Sequence, residues 1–323
     1  MRLLPALALA VSGAVLLAGC ASGPAPAEAP VAVATTTQIG SVLSDITSCA
    51  GSTSATLMGA GDDPHTFSVS SSQVADLARA KLVVANGLGL EEGLATTLSN
   101  LTADGVRVLE VAPQLDPLSF AEVEAARSAA HAGHDHASGE ETQGDEHGAY
   151  DPHVHLDVAR MARAASLIGD ELAAVTGDDG YAACGVQVHD ALMATDAEVR
   201  EILSAIPAAD RVLVTDHEAF NYFADAYGFT IAGVVVPGGS TDAAASSRSI
   251  AELVALIQAD GVSALVSNNT VDPRLVEAVA RETGTALPVV QLFEGSVGPP
   301  GSGAETYAGM MTINARRLAD ALA

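Results

Sequence analysis

Residues 211–217 read Arg211-Val212-Leu213-Val214-Thr215-Asp216-His217, a short apolar run closed by Asp. A run of that length, rich in Val and Leu and bounded by a turn-forming residue, predicts a buried strand rather than a helix. The same form recurs on both sides. Candidate strands precede it at Val31–Thr37, Ser54–Gly59, Lys81–Gly87 and Arg107–Pro113, and follow it at Thr230–Pro237, Ala264–Asn269 and Pro288–Phe293. Between them lie amphipathic patterns at Gln38–Cys49, Ser71–Ala80, Glu91–Leu101, Ser246–Ala259, Asp272–Thr283 and Ala304–Leu322. Strand and helix in alternation predict an α/β fold, with helices covering both faces of parallel sheets. Four strands fall before residue 120 and four after 210, which gives two α/β lobes. Two long helical stretches, Leu156–Val175 and Tyr181–Ile206, separate them. At 1.5 Å per residue the second spans roughly 39 Å, so a rigid helix joins the lobes and predicts limited closure.

Composition narrows the function. Among 323 residues, 14 are Lys or Arg and 40 are Asp or Glu, a net charge of −26. That excludes nucleic acid, whose phosphates need clustered cations, and suits a cationic ligand. With no Trp and 3% aromatic residues, a stacking groove for sugars or bases is not expected. Met1-Arg2, the apolar stretch Leu3–Ala18 and Leu17-Ala18-Gly19-Cys20 form a secretory signal that resembles a bacterial lipobox. The resemblance implies a signal peptide over 1–19 and a lipid on Cys20, followed by an Ala/Pro/Ser/Gly tether over 20–30. No later stretch is apolar enough to span a bilayer, so the membrane is reached through the lipid anchor only. The protein is expected outside the cytoplasm, where disulfides form. Cys49 and Cys184 are then either a bonded pair or two buried thiols.

The remaining chain divides into a first lobe over 31–155, a helical linker region over 156–206 and a second lobe over 207–323. Inside the first lobe, residues 128–148 break the pattern. They are mostly Ala, Gly, Ser, Asp and Glu, and carry His131, His134, His136 and His147 without apolar periodicity. Such a tract cannot bury a core and reads as a loop, whose histidines either contact metal weakly at several shallow sites or are incidental to a solvated acidic linker.

Three further histidines stand at points of chain punctuation. His65 lies in Asp62-Asp63-Pro64-His65, soon after the strand ending at Gly59. His153 lies in Asp151-Pro152-His153-Val154-His155, leading into a helix. His217 directly follows the run quoted first. Ligands of open α/β sheets gather at the carboxyl ends of strands, so His65 and His217 face one cleft from separate lobes, with His153 at their boundary. Three neutral imidazoles suit Zn²⁺, and Asp63, Asp151 and Asp216 are candidate acceptors for the far ring nitrogens.

Asp62-Asp63-Pro64-His65, the stretch Leu77–Gly87 with Glu91, Asp151-Pro152-His153, His217–Ala224 and Thr306–Asn314 together resemble the zinc and manganese solute-binding lipoproteins of ABC importers, the cluster A-I family. The resemblance runs in order over most of residues 31–323. It implies one metal ligand each from His65, His153 and His217, and a fourth from an Asp whose position falls here on Gly295. Glu294 is adjacent and is a candidate replacement, as is water. His155 stands where the family often has a large aromatic residue; it is either a further ligand or packing.

The resemblance implies a monomeric extracytoplasmic receptor that binds Zn²⁺ and hands it to an importer permease. Alternatives are an Mn²⁺ or Fe²⁺ receptor of the same family, or a secreted zinc buffer or hydrolase. A histidine rather than Glu at 217 favours zinc. No His-Glu-x-x-His or nucleophile elbow is present, and an enzyme is not expected.

Overall fold

A computed structural model describes residues 30–130, 148–241 and 243–323. Strands β1 (Ala32–Ala34), β2 (Ser54–Thr56), β3 (Leu82–Ala85) and β4 (Val108–Glu110) form one parallel sheet in the order β2-β1-β3-β4. Strands β5 (Val212–Thr215), β6 (Thr230–Val234), β7 (Ala264–Asn268) and β8 (Val289–Leu292) form a second parallel sheet in the order β6-β5-β7-β8. All eight fall inside the apolar runs of the sequence. β3 and β7 are buried along their whole length, as expected of strands covered on both faces. In each sheet the first strand lies inside, so the connection direction reverses between β1 and β3 and between β5 and β7. Such switch points open a crevice at the strand carboxyl ends.

The helices are α1 (Thr37–Cys49), α2 (Ser71–Leu77), α3 (Ala95–Ala103), α4 (Phe120–Ala130), α5 (Val158–Thr176), α6 (Gly180–Leu203), α7 (Asn221–Tyr227), α8 (Ser247–Ala259), α9 (Arg274–Glu282) and α10 (Tyr307–Leu322). Two of them were not expected. α7 has only seven residues, too few for its periodicity to stand out. α4 runs into 128–130, so the first three residues of the predicted loop tract are helical. Its start is set by Ser119 and Glu122: the Glu122 N–H donates to Ser119 Oγ at 3.2 Å, and Ser119 N–H donates back to the Glu122 carboxylate at 3.4 Å. The Ala-rich sequence that follows propagates the turn. His131, His134, His136 and His147, like Cys20, lie outside the described residues.

α5 and α6 form a hairpin, turning at Gly177 in the left-handed conformation (φ 76°). They cross where a Cβ on Gly169 would come within 2.7 Å of the Gly185 Cα, so the two backbones touch because neither has a side chain. α6, about 36 Å long by its rise per residue, ties into both lobes. Near its start Cys184 is disulfide-bonded to Cys49 at the end of α1, and Tyr181 Oη donates to Ser52 Oγ at 2.9 Å. Near its end Tyr227 Oη donates to Asp196 at 3.0 Å, and Arg200 donates to the Ala226 carbonyl at 2.6 Å. One apolar core runs from Ile39 and Leu82 through Met161, Ile168 and Val199 to Phe223, Leu213 and Met310. Smaller cores lie under the outer helices of each sheet. The lobes therefore share a core rather than hang on a hinge.

Candidate metal centre

The crevice between the sheets is built by four loops. After β3, the buried Glu91 carboxylate accepts from the N–H groups of Asn86 (2.7 Å) and Gly87 (3.1 Å) and from Thr35 Oγ1 (2.6 Å). Burial raises its pKa above the usual carboxylate value. Asn86, held this way, donates its side-chain amide to the Pro152 carbonyl at 2.8 Å and so positions the segment carrying His153. The same segment is gripped by Tyr222 Oη on the Asp151 carbonyl (2.7 Å) and Tyr307 Oη on the His155 carbonyl (2.7 Å). Asp157 caps α5 directly beyond it, accepting from the Ala159 and Arg160 N–H groups.

His65, His153 and His217 meet in this crevice, each offering a ring nitrogen, and these atoms all lie within 4.8 Å of one another. His65 Nε2 is 3.2 Å from His153 Nε2. Exposure is 5% for His65, 0% for His153 and 1% for His217, so the centre is sealed from solvent. Glu294, also fully buried, follows β8 and closes the fourth side. Its Oε1 is 3.8 Å from His153 Nε2, and its Oε2 is 4.0 Å from His217 Nε2. Among the described residues, Glu294 Oε1 and His217 Nε2 have no hydrogen-bond partner. Buried polar atoms without partners are costly, and a cation between them would satisfy both.

Gly295, where the family resemblance put an Asp, has no room for one. A Cβ there would collide with the Thr270 hydroxyl, which is itself fixed on Asn268 Oδ1 at 3.1 Å. His155 is 1% exposed and sits at the edge of the cluster. Its Nε2 is 3.2 Å from the Glu294 carbonyl oxygen and 3.5 Å from Glu294 Oε1. It belongs to a 3-10 turn over Val154–Leu156, with its ring 5.9 Å from that of His153 and its Nε2 turned to Glu294.

Two of the three candidate ring acceptors hold rings. Asp151 Oδ1 is 2.8 Å from His153 Nδ1, and Asp216 Oδ1 is 3.0 Å from His217 Nδ1, which turns each Nε2 to the centre. Asp63 does not reach the ring of His65. It accepts from the His65 backbone N–H at 3.0 Å and from Thr241 Oγ1 at 2.6 Å, and so ties the loop to the second lobe. The Glu92 carboxylate lies 3.8 Å from its Nδ1. Glu218 lies before α7 and pairs with Arg127 of α4 at 3.2 Å. Asn221 and Asn268 were missed by the sequence reading. Asn221 Nδ2 donates to Asp151 Oδ2 at 2.9 Å, and Asn268 ends β7, where a polar residue closing an apolar run was the available signal.

The charges favour a cation. Burial lowers the His153 pKa well below its ordinary value, helped by the neighbouring His217, His65 and His155 rings. Burial would lower that of His217 too, but Asp216, Glu294 and Asp63 override it and raise it to about 9. Asp151 is raised by burial to about 7. An imidazole kept neutral, one whose proton is favoured by the anions around it, and a carboxylate oxygen without a hydrogen-bond partner make a place suited to positive charge.

Over residues 32–321 the chain matches the family profile described as ZnuA, zinc-uptake complex component A, periplasmic. It is 31% identical over 277 residues to the zinc-binding protein TroA of Treponema pallidum, covering 83% of this chain and 80% of that protein. It is 27% identical over 256 residues to the manganese-binding lipoprotein MntA of Halalkalibacterium halodurans, covering 79% and 76%. The solved structure of the Treponema pallidum periplasmic zinc-binding protein TroA superposes with a TM-score of 0.73 at 28% identity, covering 91% of this chain and 99% of that one. Profile, relatives and fold agree: the chain belongs to the ZnuA family, the cluster A-I metal-binding, substrate-binding proteins of ABC transporters.

Proposed function

We propose that the protein is an extracytoplasmic receptor that binds one Zn²⁺ through His65, His153, His217 and Glu294 and delivers it to the permease of an ABC importer. It works as a monomer, anchored to the membrane by lipid on Cys20. The observation that carries the reading is the buried triad of imidazole nitrogens within 4.8 Å, faced by an unpartnered carboxylate oxygen. Three nitrogen donors and one oxygen suit a tetrahedral zinc site. A manganese receptor is the second reading, because a relative named for manganese belongs to the same family, although Mn²⁺ favours more oxygen donors than this centre offers. Residues 131–147, with their histidines, serve as a weak antenna that raises the local Zn²⁺ concentration.

The test is metal stoichiometry on chelator-stripped protein offered Zn²⁺ and Mn²⁺ together and assayed by elemental analysis. One tightly held Zn²⁺, weakened more than about 100-fold by His65→Ala, His153→Ala or His217→Ala, supports the assignment, since even outer-shell changes cost 10–100-fold. Preferential Mn²⁺ uptake favours the second reading, and no tight metal overturns both.

A further inference from the structure

Glu294 has two oxygens in different situations. Oε2 accepts a hydrogen bond from Asn268 Nδ2 at 2.6 Å, whereas Oε1 is buried and unpartnered among the described residues. The Asn268 amide cannot turn to offer its oxygen instead. Its Oδ1 already accepts from the Thr270 N–H (2.9 Å), Thr270 Oγ1 (3.1 Å) and the Gly295 N–H (3.2 Å), which leaves Nδ2 as the only group to face Glu294. The main chain of Glu294 is clamped as well. Its N–H donates to Asn269 Oδ1 at 2.9 Å, and its carbonyl accepts from Gln38 Nε2 at 2.6 Å. The carboxylate therefore has little freedom to rotate.

We infer that Asn268 is a specificity-determining residue: by occupying Oε2 it restricts Glu294 to one-oxygen coordination and biases the centre toward Zn²⁺ over Mn²⁺. Zn²⁺ is satisfied by four donors, here three imidazoles and one carboxylate oxygen. Mn²⁺ prefers more oxygens and gains from a carboxylate that chelates with both. A 2.6 Å hydrogen bond from a fully buried amide draws on one lone pair of Oε2 and fixes the direction of the carboxylate, so Oε2 is the weaker donor and cannot swing toward the ion without loss of that bond. The inference rests on the proposed role of Glu294 as a ligand and goes beyond it to what sets ion choice.

Asn268→Ala removes the Nδ2 donor together with the Oδ1 acceptor of Thr270 and Gly295. The backbone N–H of residue 268, which donates to Asp216 Oδ2 at 2.9 Å and so supports His217, is kept. Chelator-stripped wild type, Asn268→Ala and Glu294→Gln are compared by Zn²⁺/Mn²⁺ competition and by X-ray absorption at the zinc edge. For Asn268→Ala the expected result is a Zn²⁺ affinity about 10–100-fold lower, the range of outer-shell changes, with Mn²⁺ affected less and the preference ratio narrowed about tenfold or more. Absorption should report one carboxylate oxygen on zinc in wild type and two in the variant. An unchanged preference ratio in folded Asn268→Ala, with Glu294→Gln weakened, overturns the role of Asn268 and leaves the ligand set standing. Wild-type affinity in Glu294→Gln overturns the ligand assignment itself. If Asn268→Ala does not fold, wild-type absorption decides: two carboxylate oxygens on zinc refute the inference, and one supports it.

Discussion

Replacing Cys49 and Cys184 together by Ser should destabilise the protein strongly and leave its metal centre intact. The two residues are 135 positions apart in sequence, so the bond closes a long loop in the unfolded chain. For a loop of that length, the entropy lost by the unfolded state corresponds to about 5 kcal/mol at 25 °C, and native disulfides typically contribute about 2–5 kcal/mol. At roughly 2–4 °C per kcal/mol for domains of a couple of hundred residues, the midpoint should fall by about 5–15 °C. The denaturant slope should rise, because an uncrosslinked chain exposes more surface when it unfolds. Zinc stoichiometry should remain one. The bond sits at the far end of α1, whose 13 residues place it about 20 Å from the centre that the start of the helix helps to frame. Scanning calorimetry and chelator competition on wild type, reduced wild type and the double Ser variant test this. A midpoint shift under about 1 °C would refute the loop-entropy argument. Loss of zinc binding in a folded variant would refute the separation of strut from site.

Further outcomes follow from the geometry. Asp151→Asn and Asp216→Asn, which weaken the grip on the far nitrogens of His153 and His217, should each lower Zn²⁺ affinity about 10–100-fold in a chelator titration. Zn²⁺ affinity should fall as pH falls below about 9, because the His217 ring, raised to about 9, must lose its proton to coordinate. This group alone contributes up to about tenfold per pH unit, and calorimetry in buffers of different ionisation enthalpy should detect proton release at pH 7. Gly185→Leu forces a side chain into the contact between α5 and α6 and should cost at least about 1–3 kcal/mol in urea unfolding. Deleting residues 128–148 should leave one tight zinc and remove only weaker ions, as elemental analysis would show.

The strands were legible because parallel strands covered on both faces are written as unbroken apolar runs, as in Leu82–Ala85 and Ala264–Asn268. The three histidines were legible for a related reason, since they sit at the ends of those runs or at the lobe boundary, where crevices form. What escaped depends on contacts between distant residues. Asp63 stands as close in sequence to its histidine as Asp151 does, yet it turns to Thr241 of the other lobe, 178 positions away. Glu218 is paired by Arg127, 91 positions away in sequence. The fit of Glu294 depends on Thr270 filling the space beside Gly295, which no local pattern announces. α7 is stabilised by Phe223 and Tyr227 entering the shared core rather than by helix length, so periodicity alone had too little to read.

The two hydrogen bonds that reach from the His65 loop into the second lobe, Thr241 Oγ1 to Asp63 Oδ2 at 2.6 Å and the Gly61 N–H to Ser296 Oγ at 2.8 Å, have a consequence for timing. Any movement that carries His65 away from the centre must break these two bonds as well as the coordination it gives up. Escape then follows first-order kinetics at a rate that excess chelator outside does not hasten once opening is limiting. Such a carrier can hold cargo that a stronger competitor in solution would otherwise strip.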